Sequence, residues 1–369
     1  MATITHRILV LWCMLFTYTA LYAETDSLPC GCDTLWQKEP AKEFVSTLVQ
    51  ATQKTVPVWP GYRLGDGAIV LNAGKTSEGN HCLGLWKNGK HVSYACLPDV
   101  PRMLTPLYSY YLDFKNLVIN RDTIPFFTTT REAPEFKKWL SHNDIVSAVY
   151  MLTDYPDFPV KIPAIVKVQL GLHESFHVEV MLRYWYTKKG NWPAWDRQPD
   201  RKALQACYTA NDSVKSAIAQ EQQLLTQLIG ALLDKDTLSA CNYGNAFLQK
   251  REQRYRLVSD ISIKQDEQTN LDCITAEIIM EMEEGIADYA SWTKLYESGQ
   301  VNRELLLRRY GAKQADIFYL TGAMLLHAIA LTDPRNINDV INRIITSRTP
   351  QEASLSKILM EKLKVYCGK

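Results

Sequence analysis

The sequence predicts an α+β fold in which a β-containing N-terminal region precedes a mainly α-helical part. Between residues 57 and 121, short runs of β-branched and aromatic residues alternate with glycine and proline. From Ala133 onwards, apolar residues recur at helical spacing. Within that helical part, residues 171–178 contain the pattern His-Glu-x-x-His, around which the rest of the chain can be organised.

The first residues have the composition of a secretory signal peptide. Arg7 precedes a mostly apolar stretch, residues 8–22, which is short for a bilayer span, and Ala23 is a small residue at a cleavage point. We therefore expect residues 1–23 to be removed and the mature chain to be secreted or periplasmic. A retained single-span anchor is the alternative. No later stretch predicts a membrane span in the mature chain.

Charge and cysteine content limit the class of protein. The 41 basic and 40 acidic residues give a net charge of +1 without any block of one sign, so no nucleic-acid partner is expected. Eight of the nine cysteines follow residue 23, and an even count in an exported chain favours disulfides. Cys82 with Cys96 and Cys207 with Cys241 are plausible pairs, although connectivity cannot be read from a sequence. Cys30 and Cys32 are expected to be two further disulfide ends.

The N-terminal region, residues 24–130, is predicted to be mixed α/β. Residues 33–55 predict a helix, and four runs predict strands: 68–71, 82–86, 91–96 and 117–120. Asn88-Gly89, between the second and third runs, suits a type I′ hairpin turn. His81 and His91 lie in this region, where structural roles are expected and a second metal site is the alternative.

The second part, residues 131–369, is predicted to be mainly helical. The helical pattern covers 163–187, 203–256, 272–295 and 315–331. In the first of these helices, His173 and His177 are four residues apart and therefore lie one turn apart on one face. Two imidazoles in that arrangement can bind one metal ion, and Glu174 can reach a water molecule beside it. An amphipathic helix with two unrelated histidines is the alternative.

A catalytic zinc ion usually has three protein ligands, so a third is needed. The helix at 272–295 carries four carboxylates at spacings of four, three and four, which places them on one face. They are Glu277, Glu281, Glu284 and Asp288. Such a stripe is self-repelling unless positive charge lies opposite, which a bound cation would supply. The alternative is an exposed acidic face.

The pattern His173-Glu174-x-x-His177, together with Glu284-Gly285-x-Ala287-x-Tyr289, resembles the gluzincin zinc metallopeptidases. The resemblance implies a zincin-like catalytic domain that binds Zn²⁺, with Glu284 as third ligand and Asp288 holding a ligand histidine. The separation of 107 residues between His177 and Glu284 is long for this group and requires an inserted helical hairpin. The competing third ligands are Asp196, Glu281 and Glu283.

The expected function is therefore zinc-dependent hydrolysis of a peptide or protein substrate, with Glu174 as general base. A hydrogen-bond donor for the developing oxyanion is also required. Tyr319 is the first candidate, from its resemblance to such a group in related peptidases, and His327 is the second; both could instead be core or surface residues. The alternatives are a non-catalytic secreted binding protein on a peptidase-like fold and a disulfide-stapled interaction domain without metal.

Overall fold

The computed structural model describes residues 29–368, apart from 55, 101–109, 114–132, 146, 155–161, 185–190, 197–198, 200, 210, 265–269 and 313–316. The expected signal peptide and the strand predicted at 117–120 lie outside the described residues. None of the described helices combines the length and apolar character needed to cross a membrane.

Five of the described strands form one mixed sheet, in the order β5-β4-β3-β7-β6. Its strands are β3 (Ile69–Lys75), β4 (His81–Lys87), β5 (Lys90–Leu97), β6 (Tyr110–Asp113) and β7 (Ser147–Leu152). The short strands β1 (Pro57–Trp59) and β2 (Tyr62–Arg63) form an antiparallel pair, as do β8 (Ser262–Lys264) and β9 (Asn270–Asp272). All pairs in the large sheet are antiparallel except β3 with β7.

The helices of the N-terminal part are α1 (Asp33–Trp36), α2 (Ala41–Thr52), α3 (Pro134–His142) and α4 (Ala164–Phe176). Those that follow are α5 (Arg201–Thr209), α6 (Asp212–Leu233), α7 (Thr237–Val258), α8 (Cys273–Asp288), α9 (Lys294–Glu297), α10 (Arg303–Gly311), α11 (Ile317–Thr332), α12 (Ile337–Thr346), α13 (Pro350–Ala353) and α14 (Leu355–Tyr366). Two π-helical segments, His177–Leu182 and Tyr289–Thr293, continue α4 and α8.

The predicted hairpin between β4 and β5 is confirmed. Lys87 and Lys90 are register partners, and the two turn residues between them, Asn88 and Gly89, have φ angles of 53° and 69°. Positive φ at both central positions is the signature of a type I′ turn, which suits the right-handed twist of the flanking strands. The local sequence therefore fixes the register of this edge of the sheet.

The expectation of helical structure throughout from Ala133 is wrong at β7. Its residues alternate between the two sheet faces: Val149 and Met151 join one core cluster, and Ala148 and Tyr150 join another. This period of two is typical of a strand. The mixed α+β character is confirmed, and the sheet includes a strand from beyond residue 130.

The two faces of the sheet are covered by different helices. On one face, α3 contributes Phe136 and Leu140 to a small core with Val70 and Leu83. On the other, α4 packs against both β7 and α2 as part of the main core. The helix that carries the His-Glu-x-x-His pattern therefore lies between the sheet and the helical part.

The long segment between His177 and Glu284 contains the helical hairpin that the sequence requires. Helices α6 and α7 pack against each other, and α6 also packs against α11. A short turn joins the pair, and Asp236 caps α7 by accepting a hydrogen bond from the Ser239 amide. The hairpin therefore accommodates the intervening residues while α4 and α8 remain in contact.

Helices α8 and α11 cross at two glycines. A Cβ atom on Gly322 would lie 2.1 Å from the carbonyl oxygen of Glu281, and one on Gly285 would lie 2.4 Å from the Cα of Gly322. No other residue fits either position without moving a backbone, since real Cβ atoms do not approach so closely. The close crossing brings the N-terminal turns of α11 next to the carboxylates of α8.

Four disulfides join distant parts of the chain: Cys30–Cys96, Cys32–Cys82, Cys207–Cys273 and Cys241–Cys367. The two expected pairings are wrong. Cys82 and Cys96 are indeed register partners on β4 and β5, but each binds one end of the Cys30-Gly31-Cys32 segment. These disulfides are compatible with an extracellular protein.

Candidate metal centre

Helix α4 holds the two predicted histidine ligands against the sheet. It begins after Pro163, whose carbonyl accepts hydrogen bonds from the Val166 and Lys167 amides. A Cβ on Gly171 would lie 2.8 Å from the sulfur of Met151 in β7, so the glycine allows close contact between helix and sheet. The helix then widens into the π segment that begins at His177.

Three predicted ligand atoms converge between α4 and α8. The Nε2 atoms of His173 and His177 are 3.0 Å apart. Oε2 of Glu284 lies 3.2 Å from the first and 3.1 Å from the second. All three residues are buried, with exposed fractions of 4%, 8% and 3%. Two helices distant in sequence thus bring these side chains to one point.

The outer nitrogen of each imidazole is occupied. Nδ1 of His173 lies 3.0 Å from Oδ1 of Asp288, and Nδ1 of His177 lies 2.9 Å from the sulfur of Met181. An ionised carboxylate and a thioether have no proton to give, so both Nδ1 atoms donate. In a neutral ring, the Nε2 atom that faces the centre therefore carries a lone pair.

Two imidazole lone pairs and a carboxylate oxygen at this separation repel one another unless a cation lies between them. Zinc binds imidazole nitrogen and carboxylate oxygen at about 2.0–2.2 Å, and tetrahedral geometry then separates the ligand atoms by roughly 3.3–3.5 Å. The observed 3.0–3.2 Å separations are close to that. The donor set and its spacing therefore fit a metal ion.

Glu174 belongs to the same cluster. One carboxylate oxygen of Glu174 and one ring nitrogen each of His173 and His177 lie within 4.8 Å of one another, so this group could hold a metal ion. Glu174 is more exposed than the two histidines.

Asp288 is held in place by residues that the sequence did not single out. Its Oδ1 accepts from Nε2 of Gln169 at 3.2 Å, and its Oδ2 accepts from Nη2 of Arg309 at 3.3 Å. Gln169 also donates to Ser291 at 2.9 Å. Gln169 precedes His173 by four residues on α4, so helical spacing could have indicated it. Arg309 comes from α10, and no local pattern points to it.

This surrounding shell favours positive charge at the centre. Burial lowers the pKa of His173, but hydrogen bonds and charge from Asp288 and Glu284 outweigh it and raise the pKa to about 9. The two carboxylates thus stabilise a cation beside the ring, whether a proton or a metal ion.

Substitution of Asp288 by asparagine is expected to weaken zinc binding about 10–100-fold, because the histidine loses the carboxylate that fixes its orientation and raises its basicity. Competition with a fluorescent chelator measures this affinity. Asp339→Asn, which removes an exposed carboxylate from α12, is the control and should leave the affinity unchanged. Equal affinities of the two variants would exclude this role for Asp288.

The acidic stripe of α8 is not an exposed face, because all four of its carboxylates are buried. Its N-terminal half pairs with two arginines of α7, which also bind Glu221 of α6. Glu281 lies 2.8 Å from Nη1 of Arg251, and Glu277 lies 2.7 Å from Nη2 of Arg254. The C-terminal half of the stripe, Glu284 and Asp288, contacts the histidines instead.

The competing ligand Asp196 is also buried and lies close to the centre. Its Oδ2 accepts a short hydrogen bond from the Trp192 indole, and its Oδ1 has no hydrogen-bond partner among the described residues. Burial raises the pKa of Asp196 to about 7, the Trp192 bond opposes the rise, and the charge of Glu284 adds to it. Glu284 nevertheless contacts both histidines directly, which favours it as the third ligand.

Tyr319 lies beside the histidine pair. Its ring is nearly parallel to that of His173, with an interplanar angle of 9° and centroids 6.2 Å apart. It lies one turn before Gly322, so the crossing of α8 and α11 accounts for its position. Its role as oxyanion donor stays a prediction.

His327 has different surroundings. Its Nδ1 lies 3.2 Å from the hydroxyl of Tyr310, and its ring also contacts Tyr289 and Tyr296. It is eight residues beyond Tyr319 on α11, or about 12 Å along the axis. Burial, assisted by Lys294, lowers the pKa of His327 to about 3. These contacts are those of a neutral core histidine.

His327 is expected to make the fold sensitive to acid. Between pH 6.5 and 3 the unfolded chain binds a proton on this ring and the folded chain does not, so stability falls as pH falls. From pH 7 to pH 5 the contribution of this ring should fall by about 2 kcal/mol, while Asp196 and His173, whose pKa values are raised, contribute in the opposite direction. Denaturant unfolding at both pH values should therefore show a change in stability that is about 2 kcal/mol more favourable in His327→Gln than in His142→Gln, at an exposed site. Equal changes in the two variants would contradict the assignment.

The other two predicted histidines have structural neighbours. Nδ1 of His81 lies 2.8 Å from the side-chain nitrogen of Asn72, and the ring of His91 lies 3.9 Å from that of Tyr94. Neither belongs to the described group of residues that could hold a metal.

No model of a known protein family, no curated protein and no solved structure matches this chain.

Proposed function

We propose that the protein is a secreted zinc-dependent metallopeptidase. The observation that carries the proposal is the convergence of three lone-pair atoms, from His173, His177 and Glu284, beside the partly exposed carboxylate of Glu174. Two imidazole nitrogens and a carboxylate oxygen directed at one point, with a second carboxylate beside them, match the ligand types of a catalytic zinc site.

The donor set supports zinc as the metal. Two imidazoles and one carboxylate are the ligands of a frequent catalytic zinc site, which keeps its fourth position open. Zinc bound by these three residues would supply a Lewis acid, which polarises a carbonyl group and acidifies water to a pKa of about 7. The Asp288 carboxylate would keep the His173 ring in the tautomer that directs its Nε2 lone pair inwards.

Glu174 supplies the proton transfer in this mechanism. Its carboxylate accepts a proton from the attacking water and then passes it to the leaving amine. The residue adjoins a ligand on the same helical turn, so its position is fixed by α4 rather than by a loop. Its partial exposure lets substrate and water reach it.

Tyr319 is the proposed donor to the oxyanion. Attack on a carbonyl carbon places negative charge on the carbonyl oxygen, and a phenol O–H directed at that oxygen stabilises it. The ring of Tyr319 is nearly parallel to that of His173, with centroids 6.2 Å apart, and its proximity to this ring supports the role. His327, which contacts three tyrosines in the core, has no part in the mechanism.

The test is peptide cleavage by the purified mature chain. A peptide library incubated with the zinc-loaded protein should acquire new termini, identified by mass spectrometry. A chelator should abolish the cleavage, and added zinc should restore it. A library that remains uncut while the protein retains one zinc ion per chain would overturn the peptidase proposal and leave a metal-containing binding protein.

A further inference from the structure

A polar cavity lies away from the metal centre. It has a volume of about 410 Å³, which is within the range of small-molecule sites. Its walls come from the β1–β2 segment, the β4–β5 turn, the start of β7 and the π segment after α4. The residues on these walls with ionisable or hydroxyl-bearing side chains are Tyr62, Asp66, Lys87, Ser147, Glu179 and Arg183.

The cavity lies on the opposite side of α4 from the histidines. A Cβ on Gly67 would lie 2.8 Å from the Cβ of Ser175 and 3.4 Å from the Cγ of Glu179, so this side of the helix faces the loop before β3. His173 and His177 each differ by two positions from Ser175, which is about half a helical turn. The cavity and the metal centre are therefore separate sites on one helix.

Tyr62 lines this cavity, and the hydrogen-bonding capacity of its side chain is not fully used. The residue is 4% exposed, and its ring packs edge-on against Phe176. Its hydroxyl has no hydrogen-bond partner among the described residues. A buried polar group without a partner is costly, so it marks a position that a ligand can complete. Burial raises the pKa of Tyr62 well above its ordinary value, and the charges of Glu179 and Asp66 raise it further. The phenol is therefore a donor.

Charges of both signs line the cavity. Glu179 accepts from Ser147 at 3.3 Å and lies 3.2 Å from Nη1 of Arg183, which holds it against the cavity wall. Asp66 accepts from the Arg63 amide at 2.8 Å and is partly exposed. Lys87, at the exposed end of β4, brings a second cation to the rim. The two carboxylates and two cations leave the cavity without net charge.

We propose that this cavity binds a small zwitterion, a free amino acid or a dipeptide. The ligand carboxylate would accept from the Tyr62 hydroxyl and pair with Lys87 and Arg183. The ligand ammonium would pair with Asp66 and Glu179. Lys87 attracts the carboxylate end of the ligand and Asp66 the ammonium end, so a ligand with one charge would make only one of these contacts. The site does not depend on the peptidase activity.

Calorimetric titration with glycylglycine tests this proposal. It is done in the zinc-loaded Glu174→Gln protein, so that the dipeptide is not cleaved. We expect saturable binding that weakens at least tenfold for glycylglycinamide, which lacks the carboxylate, and for N-acetylglycylglycine, which lacks the ammonium. Each analogue lacks one charged group and therefore loses charge-assisted hydrogen bonds, and such a loss weakens binding by about tenfold. Equal binding of all three compounds would overturn the proposal.

Paired variants locate the binding. Lys87→Met should weaken it at least tenfold, whereas Lys90→Met, across the same turn but outside the cavity, should change it less than twofold. Tyr62→Phe removes only the unpartnered hydroxyl and should also weaken it at least tenfold. If these variants bind as the parent does, the dipeptide is bound elsewhere, for example at the metal centre, and the cavity assignment is wrong.

Discussion

Replacement of Glu174 by glutamine is expected to lower kcat/KM for peptide hydrolysis by about 10²–10⁴-fold while one zinc ion per chain is retained. Glutamine has nearly the same shape and size as glutamate but cannot accept the proton from water. The three ligand side chains are unchanged, so metal content should not change. The lower kcat/KM would therefore reflect lost proton transfer rather than a lost metal site.

Parallel measurement of turnover and metal content separates these effects. Glu43→Gln, which changes an exposed carboxylate of α2, should keep both at the wild-type level. Wild-type turnover in Glu174→Gln would exclude Glu174 as the general base. Loss of zinc in the same variant would instead make Glu174 a ligand, which its position within 4.8 Å of both histidines allows.

The second large effect concerns the third ligand. Glu284→Ala should weaken zinc binding more than 100-fold, beyond what loss of a supporting residue produces, because it removes a ligand atom. Asp196→Ala should change the affinity much less. It removes a nearby buried carboxylate that does not share the contact between Glu284 and both histidines.

The two variants are matched, since each removes one buried carboxylate near the same centre. Zinc affinity is measured for both by competition with the same chelator, and far-ultraviolet circular dichroism checks that both remain folded. The reverse order of affinities would make Asp196 the third ligand and Glu284 its neighbour. Equal losses would indicate that both carboxylates bind the metal.

The parts of the fold that depend on local sequence could be predicted. Asn88-Gly89 specifies its turn because both residues tolerate positive φ, and that turn fixes the β4–β5 register. The helices α6 and α7 follow from their periodicity. By contrast, β7 is a short apolar run between helical patterns, and such a run becomes a strand only because β3 lies beside it.

The disulfides show the limit of spacing arguments. Cys82 and Cys96 do lie opposite each other, as a hairpin requires, yet the segment from Cys30 to Cys32 crosses both strands and binds each of them. Which sulfurs meet is decided by the path of a distant segment. Connectivity is therefore a property of the tertiary structure.

The candidate site, too, could be predicted from the sequence only in part. His173, His177, Glu284 and Asp288 could be selected because helical spacing determines which side chains share a face. Arg309 could not, because its approach to Asp288 depends on how α10 packs. The pairing of Glu277 and Glu281 with arginines of α7 was equally hidden, although it explains how two of the four carboxylates of the stripe can be buried.

The proposed zinc site is tested most directly by a crystal of the purified protein, with anomalous diffraction recorded on both sides of the zinc absorption edge. The expected result is one strong peak, present only above the edge, about 2.0–2.2 Å from Nε2 of His173, Nε2 of His177 and a carboxylate oxygen of Glu284. A zinc-supplemented crystal without a peak between these three atoms, or with its peak on other residues, would contradict the assignment.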